Sequence, residues 1–219
     1  MWSSEVINMI ITGIWETLYM TLVSTLVGYV IGLPMGIILT VSDKDGIKPN
    51  AVLYKILDVI ANIVRSVPFI ILLVLLIPFT RLVVGKSYGS TATIVPLVIA
   101  AAPYIARMVE SSLKEVDAGV IEAARSMGAS NFTIITKVML VEARTSLLVG
   151  ATITLGTILG YSAMSGAVGG GGLGAIAIRY GYTRWQTDIM IVTVILLIIL
   201  FQIFQTVGMK LADKFDHRK

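Results

Sequence analysis

The chain has 219 residues, 56% of them hydrophobic, and its mean hydropathy is +0.90. This composition excludes a soluble globular domain and predicts an integral membrane protein with several spanning helices. The absence of cysteine excludes disulfides and thiolate metal sites, and the single histidine, His217, excludes a histidine-based catalytic or metal site.

Two segments precede the first polar loop. Residues 1–13 form a short segment that mixes the acidic Glu5 with apolar residues. We expect this segment to lie at the extracytoplasmic face of the membrane. The block 14–41 is long enough to cross a bilayer with some tilt. Small residues recur at every fourth position of this block, at Ser24, Gly28, Gly32 and Gly36. This spacing predicts close packing against another helix.

The second apolar block, 56–79, carries Arg65 near its middle and Pro68 three residues later. An arginine at the bilayer centre costs about 2.5–3.5 kcal/mol, so this side chain is not expected to face lipid. One interpretation pairs Arg65 within the chain, either with the Val64 carbonyl that Pro68 leaves free or with Asp58. The other interpretation places Arg65 on a translocation pathway.

Three further apolar blocks complete a predicted set of five spans. They cover residues 91–109, 145–164 and 189–207, and a basic tail follows at 210–219. The block 145–164 is rich in glycine and threonine, which favours a helix that packs against protein or lines a pathway rather than lipid. The sequence therefore predicts an all-α membrane protein of five transmembrane helices.

A polar connection within residues 113–140 separates the third and fourth spans. Asp117 is placed to cap a helix over 118–127, and Gly128 supplies the left-handed residue that ends it. Ser130 or Asn131 can cap a second helix after Gly128. We call this pair of helices with the glycine between them the elbow. The pattern predicts two short helices outside the bilayer, with Glu122, Ala123 and Ala124 on the first.

Two nucleotide-binding motifs are only superficially present. Gly85-Lys86-Ser87 matches the end of a phosphate-binding loop, but the glycine required five positions earlier is Thr80. Residues 169–174 satisfy the G-x-G-x-x-G spacing, yet no strand precedes them and no βαβ unit surrounds them. A flexible or closely packed extracytoplasmic loop fits this glycine run better.

Basic residues predict the orientation of the chain. With the elbow inside the cell, the cytoplasmic side carries twelve of the 17 lysines and arginines: Lys44, Lys48, Lys55, Arg107, Lys114, Arg125, Lys137, Arg144, Lys210, Lys214, Arg218 and Lys219. The outer side carries four of them: Arg81, Lys86, Arg179 and Arg184. Since five spans put the termini on opposite sides, we expect the N-terminus outside and the C-terminus in the cytoplasm.

The elbow resembles the EAA loop of ATP-binding-cassette importer permeases. Glu122-Ala123-Ala124 is followed by three residues and Gly128, as in that motif, although Val141 replaces its final proline. Six further stretches resemble the methionine-importer permease family: Trp15 to Leu18, Gly32 to Gly36, Arg65 to Leu73, Ile77 to Arg81, Ala102 to Glu110, and Gly160 to Met164. The similarity covers nearly the whole chain.

The resemblance implies a type I importer fold in the bacterial cytoplasmic (inner) membrane. It also implies a homodimer that binds two cytoplasmic ATPase subunits and receives methionine from an extracytoplasmic binding protein or lipoprotein. ATP and magnesium would then be bound by the ATPase, so this chain is expected to hold no cofactor, to catalyse no reaction and to contact membrane lipid but no nucleic acid.

Under this interpretation the motif residues have separate roles. Glu122 would orient the elbow, Ala123 and Ala124 would allow close contact with the ATPase, and Gly128 would set the bend. Met164 lies at the outer end of the fourth span, where a flexible thioether can seal a narrow constriction on a two-fold axis. We treat Met164 as the candidate gate; the alternative is a methionine that only fills a packing gap.

Other functions remain compatible with parts of the sequence. An importer of another amino acid would look similar, because selectivity rests largely on the delivery protein. An ion-coupled secondary transporter would need carboxylates near the membrane midplane or an inverted repeat. The charged residues inside the five blocks are Glu16, Asp58, Arg65 and Arg107, and of these only Glu16 and Asp58 are carboxylates. A helix bundle without transport function leaves the elbow unexplained.

Overall fold

The structure is a computed structural model that describes residues 3–215, and its first helix is longer than predicted. Helix α1 (Ser4–Ser42) is continuous, with its N-terminus capped by the Ser3 hydroxyl. Its 39 residues span about 58 Å, roughly twice the thickness of the bilayer's hydrocarbon core. Residues 4–13 are part of this helix rather than a separate element, and their predicted position at the extracytoplasmic face stays a prediction. Residues 1 and 2 lie outside the described part of the chain.

The second predicted span is broken into three helices rather than continuous. Helix α2 (Ala51–Ser66) and helix α3 (Phe69–Leu75) meet at an angle of 102°, and helix α4 (Ile77–Val84) follows. Pro68 stands immediately before α3 and lacks a backbone N–H, so the hydrogen-bond ladder of α2 cannot continue through it. The sequence predicted one span over 56–79 and showed Pro68 within it, but it did not show that the span is divided into separate helices.

The remaining long helices match the predicted blocks. They are α5 (Ser90–Lys114), α9 (Arg144–Ser165) and α11 (Thr187–Lys214). Within residues 3–215, four helices are long and apolar enough to cross a membrane, and the bent pair of α2 and α3 would make a fifth. The last part of the predicted basic tail, 216–219, and His217 with it, lies outside the described residues.

Short helical segments connect these long helices at both ends of the bundle. On the side of the predicted elbow they are α6 (Ala118–Ser126), α7 (Asn131–Thr133), a wide π-helical turn (Ile134–Met139) and α8 (Leu140–Glu142). At the other end they are a 3₁₀ turn (Gly166–Val168), α10 (Gly172–Ile176) and a second π-helical stretch (Ala177–Tyr182).

The small-residue stripe of α1 packs directly against α5, as predicted. A Cβ placed on Gly32 would lie 2.5 Å from the carbonyl oxygen of Ala102, and one placed on Gly36 would lie 2.6 Å from that of Ala106. The two backbones therefore approach more closely than any larger residue would allow. This contact holds α1 and α5 together.

Candidate functional site

The elbow is built from the caps that its sequence predicts. The Asp117 carboxylate accepts a hydrogen bond from the Gly119 N–H at 2.7 Å and caps α6. Gly128 has φ +79°, a left-handed conformation that glycine adopts without strain. Of the two possible caps of the second helix, Ser130 is the one used, because its hydroxyl accepts from the Thr133 N–H.

The two alanines of the motif face in different directions. Ala123 is exposed, whereas Ala124 is only 5% exposed and belongs to a buried cluster that includes Ile134 and Met139. Adjacent residues on a helix point about 100° apart, so the two side chains can lie in different surroundings, as they do here. The small side chain of Ala124 lets α6 pack against the following segment. The roles of both alanines in contact with an ATPase stay predictions.

Glu122 is exposed and borders a cavity of about 570 Å³ between α6 and the connection 43–50. Arg125 lines the same cavity and donates a hydrogen bond to the Ile47 carbonyl at 3.0 Å. Asp43 lies on the opposite wall, where the Lys114 ammonium hydrogen-bonds it and lowers the pKa of its carboxyl group. The motif helix is thus attached to the first polar loop of the chain.

Two large apolar side chains project from the elbow, and the sequence interpretation did not single them out. Met127 is 81% exposed and Phe132 is 76% exposed, one on each side of Gly128. Both belong to a polar connection outside the predicted spans, so lipid is not expected to cover them. Single exposed apolar side chains are common, but two large ones within a polar connection make this segment a candidate surface for binding another protein. Their apolar character within a polar stretch was the available signal.

Arg65 does not make the pairings that were predicted for it. Its guanidinium is exposed and lies 5.9 Å from the centre of the Tyr104 ring. Asp58 instead pairs with Arg107, and the Val64 carbonyl accepts from the Val67 N–H at 3.4 Å. Both proposed partners within the chain are thus engaged elsewhere.

The glycine run at the other end of the bundle is closely packed rather than loose. The Glu16 carboxylate accepts from the Gly172 N–H at 2.7 Å, and the Thr17 hydroxyl accepts from the Leu173 N–H at 2.9 Å. Two residues of α1 thereby cap the first turn of α10. Met164, in the last turn of α9 before this run, is 52% exposed within the single chain.

These features describe an all-helical chain with four or five candidate membrane spans within residues 3–215 and two exposed apolar side chains on a connection outside those spans. Residues 28–218 match the family model described as "Binding-protein-dependent transport system inner membrane component". The chain is 49% identical over 217 residues to a probable D-methionine transport system permease protein MetI of Vibrio cholerae, covering 99% of this chain and 96% of that protein. It is 51% identical over 164 residues to the Escherichia coli K12 D-methionine transport system permease protein MetI, covering 75% and 76%.

Solved structures agree with this assignment. A chain of the MetNI methionine ABC transporter in an inward-facing conformation superimposes with a TM-score of 0.97 at 49% identity, covering 99% of this chain and 100% of that one. An amino acid ABC transporter chain at 21% identity has a TM-score of 0.73 and shares the fold. The chain belongs to the binding-protein-dependent transport system inner membrane components, in the branch of the methionine ABC importer permeases. It is a multi-pass protein of the bacterial inner membrane.

Proposed function

We propose that this chain is the membrane subunit of an ATP-driven importer that takes up L- and D-methionine. A separate cytoplasmic ATPase binds and hydrolyses ATP with magnesium, so this chain needs no cofactor of its own. The observation that carries the proposal is the 49% identity, over 99% of this chain, to a probable D-methionine transport permease. The exposed Met127 and Phe132 on the elbow support its coupling to an ATPase. They give a cytoplasmic partner a place to bind at the end of a short, well-capped helix.

The elbow is the proposed coupling segment, within residues 113–140. Glu122 and Ala123 lie on its exposed surface and would contact the ATPase, while Ala124 and Gly128 would hold its shape. A rigid helix pair transmits a movement that a flexible loop would absorb. Closure of the ATPase would therefore move the spans to which the elbow is attached.

The proposed orientation places the N-terminus outside and the C-terminal tail, 210–219, in the cytoplasm. It follows from the excess of basic residues on the side of the elbow. Counting the bent pair of α2 and α3 as one span gives five crossings for the proposed transmembrane domain, 14–209, with the N-terminal segment 1–13 on the outer side. An extracytoplasmic methionine-binding protein or lipoprotein would deliver substrate to that side.

Two copies of the chain are proposed to enclose the pathway around a two-fold axis, with one ATPase subunit bound to each. A single copy leaves Arg65 exposed at the end of α2, immediately before the bend at Pro68. An exposed guanidinium at membrane depth is favourable only beside water or a counter-ion. We therefore place Arg65 on the pathway between the copies rather than on the lipid side.

Met164 is the proposed outer gate. We expect a Met164→Cys variant to form a disulfide between the two copies when the transporter is inward-facing, because the outer constriction is then closed. Oxidative crosslinking of membranes with and without bound nucleotide measures this directly. A variant that crosslinks in neither state would exclude Met164 from the two-fold axis.

Transport by purified components tests the proposed function. The chain is reconstituted in liposomes with its ATPase and binding protein, and uptake of labelled L- and D-methionine is followed. We expect uptake with internal magnesium-ATP and none with a non-hydrolysable analogue. Uptake that follows an ion gradient without ATP would identify a secondary transporter. ATP-driven uptake of a different amino acid, and not of methionine, would show that only the proposed substrate is wrong.

A further inference from the structure

A row of polar side chains joins α2 to α5 near the end of the bundle that carries the elbow. On each helix the side chains are three or four residues apart and therefore share one face. We call this row the polar seam: Tyr54, Asp58 and Asn62 on α2, and Arg107, Glu110 and Lys114 on α5.

The seam is centred on Arg107. Its guanidinium pairs with the Asp58 carboxylate and donates to the Asn62 side-chain oxygen at 3.1 Å, both on α2. On its own helix it pairs with Glu110 at 2.7 Å. Glu110 in turn accepts a hydrogen bond from the Tyr54 hydroxyl at 3.3 Å, which is a second link between the helices.

Apolar packing within the subunit does little to fix α2. Of its sixteen residues, only Ala61 is buried within the chain. The polar contacts are therefore the specific attachment of α2 to α5. Ion pairs removed from water contribute little net stability, but they require one geometry of the groups they join.

The same network reaches the elbow through the connection 43–50. Lys114 pairs with Asp43 at 2.6 Å, so α5 holds the start of this connection. Arg125 of α6 donates to the Ile47 carbonyl, so the elbow holds its middle. The connection leads directly into α2, whose first turn is capped by Asn50.

We propose that the polar seam is a positioning device for transport, which makes α2 move as one body with α5 and the elbow. A displacement of α6 would then reach the bend at Pro68 through α2 as well as through α5. This inference rests on the proposed function, because it requires that a partner move the elbow. Without the seam, the partner would still bind and hydrolyse ATP, but α2 would follow its movement incompletely.

The test uses a double variant, Asp58→Ala with Asn62→Ala, in the reconstituted complex. It removes the side-chain acceptors that α2 offers to Arg107, while Arg107 keeps Glu110 and so is not left unpaired. We expect normal ATPase binding and hydrolysis, but methionine transported per ATP reduced between about 2-fold and 30-fold. Asp58→Glu, which keeps a carboxylate, is expected to transport nearly as well as the unmodified chain.

A matched control is Asp45→Asn, which removes an ion pair with Lys44 whose side chains are 84% and 85% exposed. It is expected to leave transport per ATP unchanged. The melting temperature of each complex is measured alongside, because loss of fold would reduce binding and hydrolysis as well as transport. Adding Tyr54→Phe to the double variant removes the second link as well. If the unmodified complex transports methionine with ATP and both variants transport as much methionine per ATP as it does, the seam is not a positioning device. If the unmodified complex shows no ATP-driven uptake, the proposed function itself is wrong.

Discussion

Replacing Gly32 with leucine is expected to abolish the native packing of α1 on α5. Even the first carbon of the new side chain would lie 2.5 Å from the Ala102 carbonyl oxygen and 2.8 Å from the Ile105 Cβ. Overpacking costs about 1–3 kcal/mol where side chains can shift, and a helix backbone cannot shift without moving the whole helix. At about 3 kcal/mol, the ratio of folded to unfolded protein falls roughly 100-fold. The measurement is the yield of monodisperse protein in detergent and its melting temperature.

Two glycine-to-alanine variants, each of which adds one methyl group, provide the control for this prediction. A Cβ placed on Gly160 would have no atom within 4 Å, so Gly160→Ala is expected to be neutral or to gain about 1 kcal/mol from helix propensity. Gly32→Ala gains the same helix propensity, but its Cβ would collide with the Ala102 carbonyl oxygen of α5. This variant should therefore lower the melting temperature. Equal behaviour of the two alanine variants would contradict the close packing of α1 and α5.

The local signals in the sequence predicted the elbow well. A cap, a glycine and a second cap act over a few residues, so Asp117 and Gly128 could be assigned, and the second cap narrowed to Ser130 or Asn131, without knowledge of the tertiary structure. The length and apolar character of the spans likewise predicted α5, α9 and α11, because membrane helices must satisfy their backbone groups internally.

Features that depend on contacts between distant segments were not predictable in the same way. Asp58 shares a helix with Arg65, yet it pairs with Arg107, 49 residues away in sequence. The burial of the Ala124 side chain depends on how α6 packs against Ile134. Pro68 was recognised, but only the folded chain shows that the helix turns by 102° there rather than bending gently.

The continuity of α1 through residues 4–13 also depends on contacts with a distant segment, and it was not predicted for that reason. Residues 4–13 look like an interfacial segment because Glu5 and Asn8 are polar. In the structure Ile10 is only 8% exposed, and a Cβ on Gly13 would collide with Ile176. The end of the bundle that carries α10 therefore supports this part of α1, and that support is not visible in composition.

The second large effect is expected from the double variant Met127→Ser with Phe132→Ser. Burying one such side chain contributes about 1.5–3 kcal/mol, so loss of both should weaken ATPase binding roughly 100-fold or more. ATP-driven uptake should fall with it, because an unattached ATPase cannot move the elbow. The fold should survive, since both side chains are largely exposed in the chain alone.

Tyr88→Ser is the matched control for this variant. Tyr88 is 69% exposed but lies in the connection before α5, at the end of the bundle opposite the elbow. Its replacement removes an exposed aromatic group without touching the proposed contact surface. We expect ATPase binding by this variant to equal that of the unmodified chain.

The most direct measurement is the affinity of the purified ATPase for the unmodified chain and for the Met127→Ser, Phe132→Ser variant, both shown to be folded by their melting temperatures. The account predicts a stable complex with the unmodified chain and a complex weakened roughly 100-fold or more with the variant. Equal affinity for the two folded proteins would contradict it, because the elbow would then not be the surface that the ATPase holds.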